Sequence, residues 1–228
     1  MNAPPRADEL ERRYLHDIFA ELCRAESPSG HERACARLIE RELGALGIGV
    51  QEDDATAVTG SDCGNLLARI GARSSLGGST DERRCILLCA HMDTVPLLAP
   101  VEPVLRDGFW ENANEGILGA DNKAAIAVLL VLARRSRREG MSVDIELLFT
   151  VGEERMLAGA RAFDRACLRS SFGYVFDHAS PIGELVLSAP TALRRSLTSP
   201  GLPCSASRSA RPAAIASSFW FIPSSTRC

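Results

Sequence analysis

Residues 85–96 read CILLCAHMDTVP, an apolar run followed at once by a histidine and an aspartate. A short apolar run bounded by polar residues is typical of a buried strand. His91 and Asp93 are two positions apart at its end, so in an extended chain their side chains share one face. An imidazole with a neighbouring carboxylate, which fixes its tautomer and raises its basicity, is an arrangement found in metal sites. The segment therefore predicts a strand that carries a metal ligand at its carboxyl end.

Acidic residues recur at the ends of other predicted elements. They are Asp121, just before the helical run 124–138, Glu153 and Glu154, which close the apolar segment 143–151, and Asp177, which follows residues 172–176. In open α/β sheets, ligands bind outside the carboxyl ends of the strands. We therefore expect these groups to converge with His91 on one crevice, as the site of a two-metal hydrolase.

The coarse pattern of elements predicts an α/β fold with a mostly parallel, helix-covered sheet, because strands and helices alternate. The predicted elements are a helix over 8–24, a second helix opened by a capping box from Ser29 to Glu32 and closed by Gly47, a strand over 65–70, a loop over 71–81, the strand before His91, a helix from Asn122, a strand from Val143, a short helix over 158–168, and strands ending at Asp177 and Ser188.

Glu153 and Glu154 are adjacent, which constrains the backbone before them. Neighbouring residues of a regular strand point to opposite faces. If both carboxylates reach one site, the strand must end by Gly152, whose freedom at positive φ permits a turn. One carboxylate could then bind metal while its neighbour takes a proton from an activated water.

Four motifs resemble the M20 family of zinc peptidases, in the same order and with similar spacing. They are HMDTVP (91–96), LGADNKA (118–124), FTVGEE (149–154) and YVFD (174–177). The resemblance covers roughly residues 10–191. The segment GADNKA is closer to the peptidase T branch than to the deacetylase and desuccinylase branches. The resemblance implies a zinc hydrolase that removes N-terminal residues from short peptides.

The resemblance also implies a role for each site residue. His91 and Asp177 would bind one zinc, Asp121 would bridge two zincs, Glu154 would bind the second, Glu153 would be the general base, and Asp93 would orient His91. The peptide bond after the bridging aspartate is often cis in such enzymes, so a cis Asp121–Asn122 bond is expected. Asn122 itself is not expected to be a ligand.

The second zinc of this family is completed by a downstream histidine that has no counterpart here. The chain has four histidines, His16, His31, His91 and His178, and none matches that position. Two hypotheses therefore stand. The chain is a peptidase T-like enzyme, or it is an inactive fragment that binds at most one zinc through His91, Asp121 and Asp177.

The composition changes after Thr191. Residues 192–228 contain no Asp, Glu or Lys and five arginines, so this segment carries +5, and the remainder of the chain, with a net charge of −3 overall, carries −8. We therefore divide the chain into a catalytic part, 1–191, and an unrelated, disordered tail, 192–228. Our hypothesis is that the tail is an out-of-frame read; the alternative is a genuine low-complexity segment. The lid domain that mediates dimerisation in the resembling family would then be missing.

The composition and the absence of other known motifs argue against several locations and classes of function. No signal peptide or membrane-spanning run is evident, and scattered cysteines favour free thiols, so the expected location is the cytoplasm. Motifs of serine hydrolases, zincins and phosphate-binding loops are absent, and the arginine-bearing tail gives little support for nucleic-acid binding. Lys123 is expected to contact substrate, or to cap or solvate the start of its helix. The arginines of 134–138 are expected to form a solvated helix end that suits the helix dipole.

Overall fold

A five-stranded sheet lies at the centre of the protein in a computed structural model, which describes residues 7–72, 85–177 and 186–187. In chain order the strands are β1 (Val50–Glu52), β2 (Leu66–Ile70), β3 (Cys85–His91), β4 (Pro103–Arg106), β5 (Phe109–Asn112), β6 (Asp144–Thr150) and β7 (Phe172–Val175). The helices are α1 (Glu9–Arg24), α2 (Arg33–Ala45), α3 (Thr56–Thr59), α4 (Ala120–Glu139) and α5 (Ala158–Ala162), with a 3-10 turn at Arg165–Cys167.

The central sheet has the strand order β1-β2-β6-β3-β7, and β4 and β5 form a separate antiparallel hairpin. Strand β3 pairs in parallel with both β6 and β7. Strand β2 runs antiparallel to its neighbours β1 and β6. Four of the five strands thus share one direction, which confirms the predicted α/β fold with a mostly parallel sheet. The carboxyl ends of β3, β6 and β7 consequently meet at one edge.

Both faces of the sheet are covered, as the alternating side chains of β2 and β6 require. The larger core packs α1, α2 and α4 on one face and contains Leu22, Ile39, Ile126, Leu147 and Phe149. The smaller core contains Leu67, Leu87, Cys89 and Leu148, against which Phe163 and Leu168 pack. Each fully buried aliphatic or aromatic side chain contributes about 1.5–3 kcal/mol, so these two layers fix the sheet that positions the site.

Helix α1 is joined to α4 by charged side chains. Asp8 caps α1, since its Oδ1 accepts a hydrogen bond from the Glu11 backbone N–H at 2.8 Å. The buried Glu11 carboxylate in turn accepts hydrogen bonds from Arg135 Nε at 2.8 Å and from Arg138 at 3.0 Å. Arg134 lies over the Tyr14 ring, 4.1 Å from its centroid. Arg135 is partly buried by this pairing, while Arg134, Arg137 and Arg138 are exposed, so the predicted solvated helix end holds for all of these arginines but Arg135.

The predicted capping box at the start of α2 is also absent. Glu32 directly precedes α2 and makes no side-chain cap. The Ser29 hydroxyl donates to Asp93 instead, at 2.6 Å, and Glu32 Oε1 accepts from the backbone N–H groups of Gly30 and Gly152. Both side chains therefore form tertiary hydrogen bonds in place of the local capping bonds. At the other end the prediction holds, because Gly47 follows α2 with φ +69°.

Some of the sequence-based expectations concern residues that the structure does not describe. His178, the strand expected to end at Ser188, and the boundary between residues 191 and 192 lie outside the described residues. The six cysteines in the described ranges are all free, as expected. Within those ranges no helix combines the length and apolar character that crossing a bilayer would require.

Candidate metal centre

His91 is the last residue of β3, and its buried ring meets two carboxylates. Its Nε2 lies 3.3 Å from Asp121 Oδ1 and 3.4 Å from Asp177 Oδ1. A different element positions each of the three residues. His91 ends β3, Asp121 lies at the start of α4, and Asp177 comes two residues after β7. The sheet edge therefore brings together three residues that the sequence analysis placed in one crevice.

The start of α4 has a backbone that turns Asp121 toward His91. Gly119 adopts φ +74°, and Asp121 and Asn122 depart from helical angles. The Asp121–Asn122 peptide bond is cis, as expected. The Asn122 side-chain amide donates to the Phe176 carbonyl, which ties this turn to the residue before Asp177. Asn122 is thus occupied by the backbone, in agreement with its predicted exclusion from the ligands.

The donor set fits one metal ion of the zinc class. One ligand atom from each of His91, Asp121 and Asp177 lies within 4.8 Å of the others. Zinc binds imidazole nitrogen and carboxylate oxygen at about 2.0–2.2 Å, so tetrahedral ligands lie roughly 3.3–3.6 Å apart. The distances of 3.3 and 3.4 Å from His91 Nε2 to the two carboxylate oxygens match this spacing. Three protein ligands with one open position are typical of catalytic zinc sites.

The charges in the group favour a cation at its centre. Burial alone would lower the pKa of His91, but its hydrogen bonds with Asp121, Asp177 and Asp93 outweigh burial and raise that pKa well above the ordinary value. The hydrogen bond with His91 likewise lowers the pKa of Asp121. Because a metal ligand must be a deprotonated imidazole, zinc and a proton would compete for Nε2.

Asp93 connects this histidine to the loop that follows β6. It is fully buried. Its Oδ1 accepts the Glu153 backbone N–H at 2.9 Å, and its Oδ2 accepts the Glu154 N–H at 3.1 Å and the Ser29 hydroxyl at 2.6 Å. His91 Nδ1 lies 3.4 Å from Oδ1 and 2.9 Å from the Asp93 carbonyl oxygen. The predicted orientation of His91 by Asp93 thus has a geometric basis in both the carboxylate and the main chain.

The loop after β6 presents two carboxylates beside the metal group. The strand ends at Thr150 and Gly152 adopts φ +58°, so the predicted turn is present. Burial raises the pKa of the half-buried Glu153 to about 7, aided by the nearby Asp177 and Glu154 and opposed by His91. Burial also raises the pKa of Glu154, although its side chain reaches solvent. A carboxyl group poised near neutral pH is suited to proton transfer.

Comparison with known proteins identifies the family. A sequence model described as peptidase family M28 matches residues 65–181, slightly more than half of the chain. The chain belongs to peptidase family M28. The matched segment contains every residue of the metal group and the Glu153–Glu154 loop. The motif resemblance to the M20 family is consistent with this result, because the findings support a zinc exopeptidase of the M20/M28-like fold.

Two sequence relatives and one solved structure are similar to the chain over most of its length. The chain is 34% identical over 182 residues to the uncharacterized protein YqjE of Bacillus subtilis, which covers 79% of this chain and 47% of that protein. It is 33% identical over 175 residues to the peptidase T-like protein RB0614 of Rhizobium meliloti, 68% of this chain and 43% of that one. The crystal structure of aminopeptidase PepT from Bacillus cereus matches with TM-score 0.70 and 32% identity, over 77% of this chain and 46% of that one. The M28 chain therefore spans about half the length of the relatives it matches.

The ligands expected for a second metal form no group in the described part of the chain. Asp121 and Glu154 were expected to bind it, and the described ranges contain no histidine that joins them. His31 is exposed in the turn before α2, and the exposed His16 accepts a hydrogen bond from Trp110 Nε1 at 3.0 Å. Two carboxylates alone are too few for a four-coordinate zinc. Among the described residues the grouped ligands are His91, Asp121 and Asp177, and Glu154 lies outside this group.

A buried lysine that the sequence pattern did not indicate supports the site from below. Lys123 is 1% exposed, and its ammonium donates to the Ala25 carbonyl and the Ser27 hydroxyl. Ser27 itself donates to the Met92 carbonyl at 2.7 Å. The prediction that Lys123 contacts substrate, or caps or solvates the start of its helix, was wrong. Lys123 ties α4 to the segment before α2, and Ser27 in that segment bonds to Met92 after β3. Lys123 and Ser27 are 96 residues apart, so no local pattern could have indicated the contact.

Proposed function

We propose that the His91 site belongs to a metal-dependent peptidase of the peptidase T type, which removes the N-terminal residue of short peptides. One observation carries the proposal: the ligands His91, Asp121 and Asp177 are grouped at the carboxyl edge of the sheet, and Asp93 links them to the backbone of the Glu153 loop. The names of RB0614 and PepT and the GADNKA segment support the peptidase T branch.

His91, Asp121 and Asp177 would hold the metal, which we propose to be zinc because the donors are one imidazole and two carboxylates. Bound zinc would supply a Lewis acid that polarises the scissile carbonyl and lowers the pKa of a water. Asp121 is suited to a position facing substrate, since 68% of its side chain is exposed, whereas His91 is 3% exposed. Substrate can therefore approach from the Asp121 side.

Glu153 would act as the general base and then as the acid. With a pKa near 7, its carboxylate can accept a proton from the attacking water and deliver it to the leaving amine. Its position is set by the backbone, because the Glu153 N–H is bound by Asp93 at 2.9 Å. The same Asp93 carboxylate lies beside His91 Nδ1. Asp93 thus positions the metal ligand and the base together without contacting substrate.

A second candidate function is binding of a single metal without turnover. It is favoured by the lack of a histidine beside Asp121 and Glu154 in the described ranges. In this case His91, Asp121 and Asp177 would bind one zinc, and Glu153 would have no activated water to deprotonate.

A peptidase assay on the full chain separates the two candidates. We expect zinc-dependent release of the N-terminal residue from a tripeptide, with Glu153→Gln lowering kcat by about 10²–10⁴-fold, the range of general acid–base catalysis. Glu139→Gln is the matched control, because Glu139 is exposed at the opposite end of α4 from Asp121. Bound zinc with no turnover above that of Glu153→Gln would overturn the peptidase proposal and favour the single-metal function.

A further inference from the structure

A second group of metal-ligating side chains lies away from His91, at the amino end of α2. It consists of Glu32, which directly precedes α2, and Asp62 and Cys63, which lie between α3 and β2. One ligand atom from each residue lies within 4.8 Å of the other two. Glu32 and Cys63 are fully buried, and Asp62 is exposed. The group therefore has a buried interior and one side open to solvent.

The Glu32 carboxylate has an oxygen with no partner. Oε1 accepts hydrogen bonds from the backbone N–H groups of Gly30 at 2.9 Å and Gly152 at 3.1 Å, and lies 3.5 Å from the Ser61 hydroxyl. Oε2 is buried and has no hydrogen-bond partner among the described residues. Leaving a buried polar group unpaired costs about 1–3 kcal/mol. In native proteins such an atom is usually explained by an ion or an ordered water.

The nearby cation does not neutralise this group. The Arg33 guanidinium donates to both oxygens of Glu52 at 2.7 Å, and to the backbone carbonyl of Asp62 rather than to its carboxylate. The Asp62 carboxylate accepts only the Arg33 backbone N–H, at 2.9 Å, among the bonds described. In the described ranges no ammonium or guanidinium pairs with the carboxylate of Glu32 or Asp62. The group thus has donors for a cation and no side-chain cation of its own.

We propose that Glu32, Asp62 and Cys63 form a binding site for one thiophilic divalent cation, of the zinc and cadmium class. The donors are a thiolate and two carboxylate oxygens, and water would supply the remaining position on the exposed Asp62 side. A thiolate favours zinc over calcium or magnesium, which take oxygen ligands. Binding would form a metal–sulfur bond as the Cys63 S–H bond breaks, with the proton released to solvent.

Occupancy of this site would also stabilise the neighbouring loop. The Gly152 N–H is bound to the Glu32 carboxylate at 3.1 Å, and Gly152 precedes Glu153. A cation on Oε2 would fix the carboxylate whose Oε1 holds that N–H. The site is therefore structural, with ligands from three positions that α2, α3 and β2 bring together, and it does not depend on the proposed function of the His91 group.

Cadmium titration of the full chain carrying His91→Ala tests the proposal, because that background lacks the first group. Thiolate coordination is read as the ultraviolet sulfur-to-cadmium charge-transfer band. We expect one equivalent to bind with the band. Adding Cys63→Ser should abolish the band, and adding Asp62→Asn should weaken binding by at least about tenfold. The matched control is Cys167→Ser, since Cys167 is an exposed free thiol, and it should leave the band unchanged.

Each other outcome overturns the site. A band that survives Cys63→Ser places the cadmium on another cysteine. Unchanged affinity in Asp62→Asn, or no cadmium bound in the His91→Ala background, leaves a buried water as the partner of Glu32 Oε2. If Cys63→Ser fails to fold, Asp62→Asn decides the question, because its side chain is exposed and the amide oxygen can still accept the Arg33 N–H.

Discussion

Replacing Asp93 by asparagine removes the connection between the metal ligand and the loop that carries the proposed base. The substitution keeps the size of the side chain and changes one acceptor oxygen into an NH2 donor. In the native protein both oxygens accept hydrogen bonds, Oδ1 from Glu153 N–H at 2.9 Å and Oδ2 from Glu154 N–H at 3.1 Å and from the Ser29 hydroxyl at 2.6 Å. An asparagine oxygen can serve only one of these two positions.

The size of the effect follows from those bonds. Whichever way the amide is turned, its NH2 group faces a backbone N–H, so at least one charge-assisted hydrogen bond is lost in a fully buried place. Hydrogen bonds to charged groups contribute about 1.5–3 kcal/mol. Burial raises the pKa of Asp93, but its hydrogen bonds with His91 and Ser29 outweigh burial and lower that pKa. The folded protein thus prefers the carboxylate. We expect Asp93→Asn to lower the free energy of unfolding by about 2–3 kcal/mol.

The same substitution should weaken metal binding. Loss of a partner that orients a metal-binding histidine typically costs about 10–100-fold in affinity. Urea unfolding of the metal-free chain followed by circular dichroism gives the stability, and competition with a chromophoric zinc chelator gives the affinity. Asp17→Asn is the matched control, because the Asp17 side chain is 73% exposed on α1. A change below about 0.5 kcal/mol with unaltered zinc affinity would refute the role assigned to Asp93.

Three further predictions concern packing and charge. Gly159→Ala should lower the free energy of unfolding by about 1–3 kcal/mol, because a Cβ there would lie 2.3 Å from the Val151 carbonyl oxygen. Gly44→Ala is its control and should raise the free energy of unfolding by about 0.5–1 kcal/mol, because a Cβ there would have no atom within 4 Å. Both changes are measured by the same urea titration. Lys123→Met should lower the midpoint of thermal unfolding, because two buried acceptors lose their donor at a cost of about 2 kcal/mol. Equal midpoints would contradict this. Glu11→Gln should cost about 1 kcal/mol at neutral pH. Arginine partners lower the pKa of Glu11 from 4.5 to about 2 in the folded state, so its contribution is present above pH 4.5 and is lost as pH falls toward 2. A difference from wild type that does not shrink over that range would count against the pair.

The sequence could predict the parts of the site that local patterns encode. The apolar run before His91 indicated β3, and the spacing of His91 and Asp93 indicated a shared face. Gly152 before two glutamates required a turn, and the turn is present. Because the carboxyl ends of parallel strands meet at one edge of a sheet, residues at the ends of β3 and β7 could be brought together without knowledge of side-chain contacts. The assignment of catalytic roles to Glu153 and Asp93 stays a prediction.

The parts that could not be predicted depend on contacts between distant segments. The pattern from Ser29 to Glu32 has the residue types of a capping box, yet Ser29 bonds with Asp93, 64 residues away, and Glu32 with Gly152. The sequence likewise could not show that Lys123 is buried, because a lysine at the start of a helix is ordinarily solvated. In each case a tertiary hydrogen bond competes with the local one, and only the packed structure determines which forms.

The direction of β2 is another feature that local sequence patterns could not predict. Residues 65–70 were correctly predicted as a strand, but an alternation of strands and helices does not specify which strand reverses. In the structure β2 pairs antiparallel with β6, from Leu66 opposite Phe149 to Ile70 opposite Ile145. The pairing places the inward-facing side chains of both strands in the larger core, so burial of that face selects the register.

The most direct test of the metal centre is anomalous diffraction at the zinc absorption edge, from crystals of the full chain grown with zinc. We predict a peak at about 2.0–2.2 Å from His91 Nε2 and from one carboxylate oxygen of each of Asp121 and Asp177. An ordered sheet edge with no peak among these three residues, at zinc concentrations that saturate the chain in solution, would contradict the metal site on which the proposed function depends.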